Sequence, residues 1–353
     1  GMKIYDMMAG KLGLGKSEII SKQETEKLIP NVNKKGLRGG VIYHDGQFDD
    51  SRMAITLALS ADSKKTALLN YCNVEGLIKK DGEIKGLNFT DSINSKKYQI
   101  KSKVVINATG VFAEEIIRMD QPKIEKMIQP SQGVHIVLER RFLKSKHAIL
   151  IPQTSDGRVL FAVPWKNYVV VGTTDTQVKK ASEEPKALKE EVDFILKNAG
   201  KYMSVKPKKD DIKSVFAGLR PLAATSNKQS TKEVSRSHKI DISPSGLISV
   251  LGGKWTTYRK IAEDALDDME IVSSEDDSSL VEDIQESGNV RIHIMNYGSI
   301  DKVIGISKRK LSILYAIAAA IASALPSGIP IDMKFDAIYC TKFSDQNSNR
   351  HRV

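Results

Sequence analysis

The sequence predicts an α/β to α+β fold with mixed, largely antiparallel sheets, and three observations carry that reading. From Ala67 to Ile106 the pattern is one of strands, broken by a turn at Asp81-Gly82 and by a second polar turn, which describes an antiparallel meander. Val104-Val105-Ile106 then runs straight into Asn107-Ala108-Thr109-Gly110 and a helix around Phe112–Met119, a strand, small-residue turn and helix where backbone amides can meet an anion. Leu247–Leu251 repeats the theme, ending at Gly252-Gly253 before a helix from Thr256 towards Met269. The 353 residues are enough for about two domains. With 41% hydrophobic and 27% charged residues, disorder and fibrous repeats are excluded as the main theme.

Taken in order, Ser21 and Glu24 have capping-box spacing ahead of a short helix that must stop near Pro30. Gly39–Tyr43 reads as a brief strand, and Asp49, Asp50 and Ser51 supply N-cap chemistry for a helix with Met53, Ala54, Leu57 and Ala58 on one face. The meander is expected as Leu68–Leu77, a strand ending at Phe89, and Tyr98–Ile106. Strands follow at Val134–Leu138, Ala148–Ile151, Val159–Val163 and Tyr168–Gly172, then a charged helix over Pro185–Ala199. Ile240–Ile242 and Leu247–Leu251 complete the strands, and the acidic, Ser-rich stretch Ser273–Glu286 reads as a linker.

The net charge of +11 suits an anionic partner, such as nucleic acid, an anionic membrane surface or a phosphorylated small molecule. The short basic clusters Lys206–Lys209 and Lys308–Lys310 are not interleaved with aromatics, which argues against nucleic acid. Two cysteines are too few for a disulfide framework or a cysteine-based zinc site, and the six histidines show no metal-ligand spacing. The apolar run Leu311–Leu325 falls short of the ~18–20 residues that a spanning helix needs, and reads as a buried helix. Gly1 ahead of Met2 reads as the scar of a removed purification tag, and no signal peptide follows it.

Among the motifs, Gly10, Gly15, Lys16 and Ser17 match a phosphate-loop pattern but lack the buried strand before it and the long helix after it. Gly252-Gly253-Lys254-Trp255-Thr256-Thr257 says more, because paired glycines let backbone approach a ligand while Lys254 and Thr256 sit at a helix N-terminus. The same residues describe equally well a strand–helix turn with Lys254 in solvent. Arg220 lies in the apolar, Gly/Pro-framed segment Ala217–Leu222, where a guanidinium needs a dedicated anionic partner, and Arg236 follows. Arg220, Arg236 and Lys254 converging would suit a phosphate or carboxylate substrate, though each alone could be a structural ion pair. Thr173, Thr174 and Asp175 close a strand with hydroxyls and a carboxylate. His135 sits on an otherwise apolar strand, where a lone histidine is by default a satisfied core residue.

Together these segments resemble the FAD-dependent glycerol-3-phosphate dehydrogenases. The resemblance runs in the family's order through Tyr43–Arg52, Asn107–Gly110, Ser131–His135, Val163–Trp165, Gly172–Thr176, Gly218–Leu222 and Gly252–Arg259, and covers about Ile4 to Asp268. It implies a partial Rossmann-like FAD-binding domain plus a mixed antiparallel-sheet substrate domain, with a short helical C-terminal piece. Residues 2–130 and 215–270 would be the remainder of the FAD domain interleaved with substrate-domain segments, and 130–215 the substrate-domain core. A linker over 273–290 and a helical piece over 291–353 would follow. The implied chemistry is oxidation of glycerol 3-phosphate to dihydroxyacetone phosphate by hydride transfer to FAD, with electrons passed to quinone.

By the same resemblance, His135 would be the base near C2, and Arg220 would take part in catalysis and, with Arg236 and Lys254, in phosphate binding. Thr173, Thr174 and Asp175 would shape the pocket. Gly252, Gly253, Lys254, Thr256, Asn107 and Gly110 would lie along the cofactor. The setting would be cytoplasmic, with peripheral contact at the inner face of a membrane.

Three features depart from the family pattern. The family opens on a βαβ unit carrying G-x-G-x-x-G, which is not read here, and Gln132 stands where the family usually has lysine. Beyond about Asp301 the sequence no longer follows the family, so a truncated chain is expected. Two alternatives remain open at this level: a non-catalytic, flavin-free remnant retaining the anion pocket, and a related amine- or hydroxy-acid-oxidising flavoprotein.

Overall fold

The computed structural model describes residues 15–44, 46–62, 68–152, 154–224 and 237–273. Arg236, Leu311–Leu325, the C-terminal piece and all but the start of the expected linker lie outside the described residues. Strand β1 (Glu18–Ser21) pairs antiparallel with β2 (Gly39–Ile42). Between them, helix α1 (Lys22–Leu28) opens with the expected capping box: the Glu24 amide donates to Ser21 Oγ at 3.2 Å, and Ser21 N donates to Glu24 Oε2 at 2.8 Å. Helix α2 (Asp50–Asp62) starts where Asp49 Oδ1 accepts from Arg52 N at 2.9 Å.

The meander is present as β3 (Cys72–Lys80), β4 (Glu83–Asp91) and β5 (Lys97–Lys101), turning at Asp81-Gly82. The single strand expected over Tyr98–Ile106 is not found. The stretch Tyr98–Ile106 is two strands in two sheets, because β6 (Val105–Asn107) leaves the meander and pairs in parallel with β14 (Leu247–Gly252). Burial decides the split: β5 is exposed along most of its length, whereas Val105 and Asn107 are buried. The three-stranded sheet β13 (His238–Ile242), β14, β6 packs on helix α3 (Ala113–Asp120). Val105, Ala113, Ile117, Leu247 and Leu251 form its core with Ile84 of the meander and Ile128. The meander is fastened to this layer by buried Asp120, which meets Lys79 Nζ at 2.6 Å and Ser245 Oγ at 2.5 Å.

The largest sheet is built around β7 (Ile128–Glu139). On one side β7 pairs with β10 (Tyr168–Gly172) and then β11 (Thr176–Gln177), and on the other with β12 (Ile212–Ala223). Beyond β10 lie β9 (Leu160–Trp165) and β8 (Ile149–Ile151). The sequence reading did not mark β12 as a strand, since Gly218 and Pro221 interrupt its pattern. Among the described residues it is an edge strand, where a proline's missing donor costs no ladder bond.

Side chains alternate across a strand, so β7 has two distinct faces. Val134, Ile136 and Leu138 join Val169, Val171 and Ala217 in a core covered by Ile195 and Ala199 of helix α4 (Lys189–Ala199). Each fully buried isoleucine or leucine there contributes about 1.5–3 kcal/mol. The opposite face carries Gly133, His135 and Val137, the last in a small cluster with Val170, Phe216 and Trp165.

Candidate active site

The strand register brings part of the expected site together on that second face. Across the sheet, His135 of β7 stands opposite Gly172 of β10 on one side and Phe216 of β12 on the other. Four residues further back along β7, Ser131 stands opposite Arg220. Between β10 and β11, the residues Thr173, Thr174 and Asp175 oppose only Val134 and Gly133, so the chain bulges and turns the Thr173 hydroxyl and the Thr174 carbonyl toward Arg220 of β12.

Arg220 enters that bulge. Its Nη1 donates to the Thr174 carbonyl at 3.2 Å, its Nη2 donates to Thr173 Oγ1 at 3.1 Å, and its Nη1 lies 4.0 Å from Asp175 Oδ1. Asp175 also accepts a short hydrogen bond from Ser131 Oγ. Gly133 makes room for the guanidinium: a Cβ there would overlap Arg220 Nη2 and lie 2.7 Å from Thr173 Oγ1. Gly172 does the same for His135, since a Cβ there would overlap imidazole Cδ2 and lie 2.8 Å from Nε2.

The His135 ring stacks on Phe216 with centroids 4.9 Å apart and planes 18° apart. Burial, then the nearby Arg220 charge, pushes its pKa down to about 3, so the imidazole is unprotonated at neutral pH. Beneath this face lies a buried polar relay that sequence reasoning missed. Thr174 Oγ1 accepts from Val134 N at 2.9 Å and donates to Glu191 Oε1 at 3.0 Å. Glu191 Oε2 accepts from Gln132 Nε2 at 2.7 Å and from Leu188 N at 2.9 Å, the latter capping helix α4. The sequence offered Glu191 only as one charge in a charged helix, and Phe216 only as an apolar residue. Nothing local marks either, because register alone brings them to the site.

The remaining expected residues lie on the neighbouring layer. Parallel strands β6 and β14 end side by side, with Ser249 opposite Asn107, and each passes through glycines of positive φ into a helix. Gly110 has φ 59°, Gly252 φ 71° and Gly253 φ 96°, conformations that only glycine adopts without strain. Asn107 is buried and committed to structure. Its Nδ2 donates to Ala113 O at 2.9 Å and its Oδ1 accepts from Thr109 Oγ1 at 2.7 Å, which pins the β6–α3 turn. Lys254 and Thr256 are exposed, while Trp255 between them is buried and meets Phe48 and Tyr258 edge-on. The turn abuts the end of β12, since a Cβ at Gly252 would lie 3.5 Å from Ala223 Cβ. Helix α5 (Tyr258–Ser273) carries Asp264, whose Oδ2 lies 2.7 Å from His238 Nε2. The structure thus gathers His135, Thr173, Thr174, Asp175 and Arg220 at one place on the sheet and sets Lys254, Gly252 and Gly253 on the adjoining turn.

The family model for FAD dependent oxidoreductases matches residues 2–259. The chain is 38% identical over 275 residues to the mitochondrial glycerol-3-phosphate dehydrogenase of Mesocricetus auratus, an alignment covering 76% of this chain and 38% of that one. In structure it is similar to the glycerol-3-phosphate dehydrogenase of Bacillus halodurans complexed with FAD. That match has a TM-score of 0.64 at 31% identity and covers 72% of this chain and 49% of the other. The FAD-bound L-alpha-glycerophosphate oxidase of Mycoplasma pneumoniae matches with a TM-score of 0.54 at 16% identity over 93% of this chain and 67% of that one, a likeness of fold. The chain spans less than half the length of the curated relatives it matches. The mixed architecture expected from the sequence is therefore that of FAD-dependent oxidoreductases with a Rossmann-like domain, and the chain belongs to the FAD dependent oxidoreductase family.

Proposed function

We propose that this chain carries the substrate side of a glycerol-3-phosphate dehydrogenase that oxidises glycerol 3-phosphate to dihydroxyacetone phosphate with FAD as the hydride acceptor. The observation that supports this reading best is the placement of Arg220 beside His135 on one face of the sheet, where Gly133 and Gly172 leave the two side chains room. Arg220 and Lys254, with Arg236 outside the described residues, would hold the phosphate. Thr173, Thr174 and Asp175 orient the Arg220 fork and set the width of the pocket.

FAD would be held where β14 and β6 end together. The positive-φ glycines Gly252 and Gly253 bring backbone close, and the N-terminal amides leading into α5, the Thr256 hydroxyl and the Lys254 ammonium form a donor set at the positive end of a helix dipole. That donor set fits the electron-rich edge of a flavin, and Gly110 supplies a second close approach. Bound there, FAD supplies a two-electron acceptor for the hydride leaving C2. His135 accepts the proton of the C2 hydroxyl as the C–O bond gains carbonyl character. A phosphate settling beside Arg220 offsets its positive charge and so raises the proton affinity of His135 when substrate is in place. Quinone would be the final electron acceptor, and the chain would be cytoplasmic and in peripheral contact with the inner face of a membrane.

The test is the visible absorption spectrum of the purified chain before and after adding FAD. A flavin band that survives gel filtration and is bleached by glycerol 3-phosphate is expected. A protein that retains no flavin is a remnant with an anion pocket, and bleaching by glycine-type acids instead of glycerol 3-phosphate assigns it to amine or hydroxy-acid oxidation.

A further inference from the structure

We propose that Phe216 is a positioning residue for His135: by stacking on the imidazole from β12 while Gly172 opens the space over β10, it fixes the ring beside Arg220. The inference rests on the reading of His135 as the proton acceptor, but its geometry does not depend on a flavin. Three strands place Gly172, His135 and Phe216 in one row across the sheet. The two rings lie 18° from parallel with centroids 4.9 Å apart. Imidazole Cδ2, with Cγ and Nε2 on either side, lies over Gly172 at a position that a methyl group would occupy.

Phe216 is itself locked in place. It is buried with Val137 and Val170 on the same face, so its ring cannot swing away to let the imidazole turn. A histidine held this way keeps one orientation and keeps water off one ring face, the two conditions a proton acceptor needs for a reproducible approach to a substrate hydroxyl. The charged group facing His135 from β12 is Arg220, and Asp175, from the bulge after β10, faces that guanidinium. Phe216 contributes no charge, so its effect on His135 is one of hydration and orientation.

The experiment is an NMR titration of the His135 imidazole in selectively labelled protein, the resonance being identified by its loss in His135→Gln. In the wild-type chain the signal should stay that of a neutral ring from pH 8 down to pH 5. In Phe216→Leu the ring is hydrated, and the protonation midpoint should rise by at least one pH unit. In Phe216→Trp, which keeps a stacking face, it should stay near the wild-type value. Should Phe216→Leu fail to fold, Phe216→Met keeps an apolar side chain of similar length but offers no stacking face, and should raise the midpoint likewise. A folded Phe216→Leu or Phe216→Met protein whose His135 titration is unchanged overturns the proposal, whatever its melting temperature. Failure of the parent reading shows separately, as a chain that binds neither flavin nor glycerol 3-phosphate in the absorption experiment.

Discussion

Adding one methyl group at position 133 isolates the anion-binding role of Arg220. A Cβ on Gly133 would overlap Arg220 Nη2 and approach Cζ at 2.8 Å and Thr173 Oγ1 at 2.7 Å. Gly133 does not occupy the left-handed backbone region, so alanine costs nothing there in φ and ψ. The obstacle is the far end of a flexible side chain, and relief comes from moving the guanidinium outward. That movement gives up its bonds to the Thr174 carbonyl at 3.2 Å and Thr173 Oγ1 at 3.1 Å. A misplaced guanidinium loses a charge-assisted contact with a bound anion worth about 1.5–3 kcal/mol. At about 1.4 kcal/mol per decade, that predicts glycerol 3-phosphate binding weakened about 10- to 100-fold. Stability should change by less than about 1 kcal/mol, since alanine in a strand also relieves glycine's entropic cost. Isothermal titration calorimetry and a thermal melt on Gly133→Ala read both quantities. Unchanged affinity in a protein of unchanged melting temperature would show that Arg220 does not hold the anion.

Three further outcomes follow from other parts of the molecule. The folded pKa of His135, about 3, lies below the roughly 6.5 of an unfolded histidine, so between those values the unfolded chain binds more protons. Stability should therefore fall as pH drops from about 6.5, at a slope approaching about 1.4 kcal/mol per pH unit, and denaturant melts of His135→Gln should lose that component. Asp120→Ala should cost about 1–3 kcal/mol in the same melts, because it strips the buried Ser245 hydroxyl and Lys79 of their shared acceptor. Burial works to raise the Asp120 pKa, but Lys79, Ser245 and Ser243 hold it below the ordinary carboxylate value. Its contribution is thus present above about pH 4 and lost as pH falls through the folded value. Gly86→Ala, at φ 149° and facing the Ile100 backbone carbonyl, should destabilise the meander by about 1–3 kcal/mol while leaving anion binding intact, as paired melts and calorimetry would show.

Much of the local structure was legible in the sequence because its causes are local. The Ser21–Glu24 capping box, the turn at Asp81-Gly82 and the paired glycines after β14 each follow from residue types at fixed spacing, and each is found where the spacing puts it. The strand β12 was not legible, because Gly218 and Pro221 break its alternation and only its pairing with β7 makes it a strand. The division of Tyr98–Ile106 between two sheets depends on what each half is buried against, which no short window records. The site shows the same limit. Arg220, His135 and the Thr173–Asp175 segment stood out by composition, but the roles of Gly133, Gly172, Phe216 and Glu191 exist only through register and a helix packed from below.

Strand β7 begins in one core and ends in another. Ile128 packs with Ile117 and Leu251, whereas Val134, Ile136 and Leu138 pack with Ile195 and Val171. Twelve residues of continuous strand make a rod of roughly 40 Å at about 3.3 Å per residue. Pulling either core apart must break the ladder bonds of the same rod, so the two cores share one unfolding barrier. Amide hydrogens along β7 should then exchange with a single protection free energy from end to end, and partial digestion should release no half that keeps its structure.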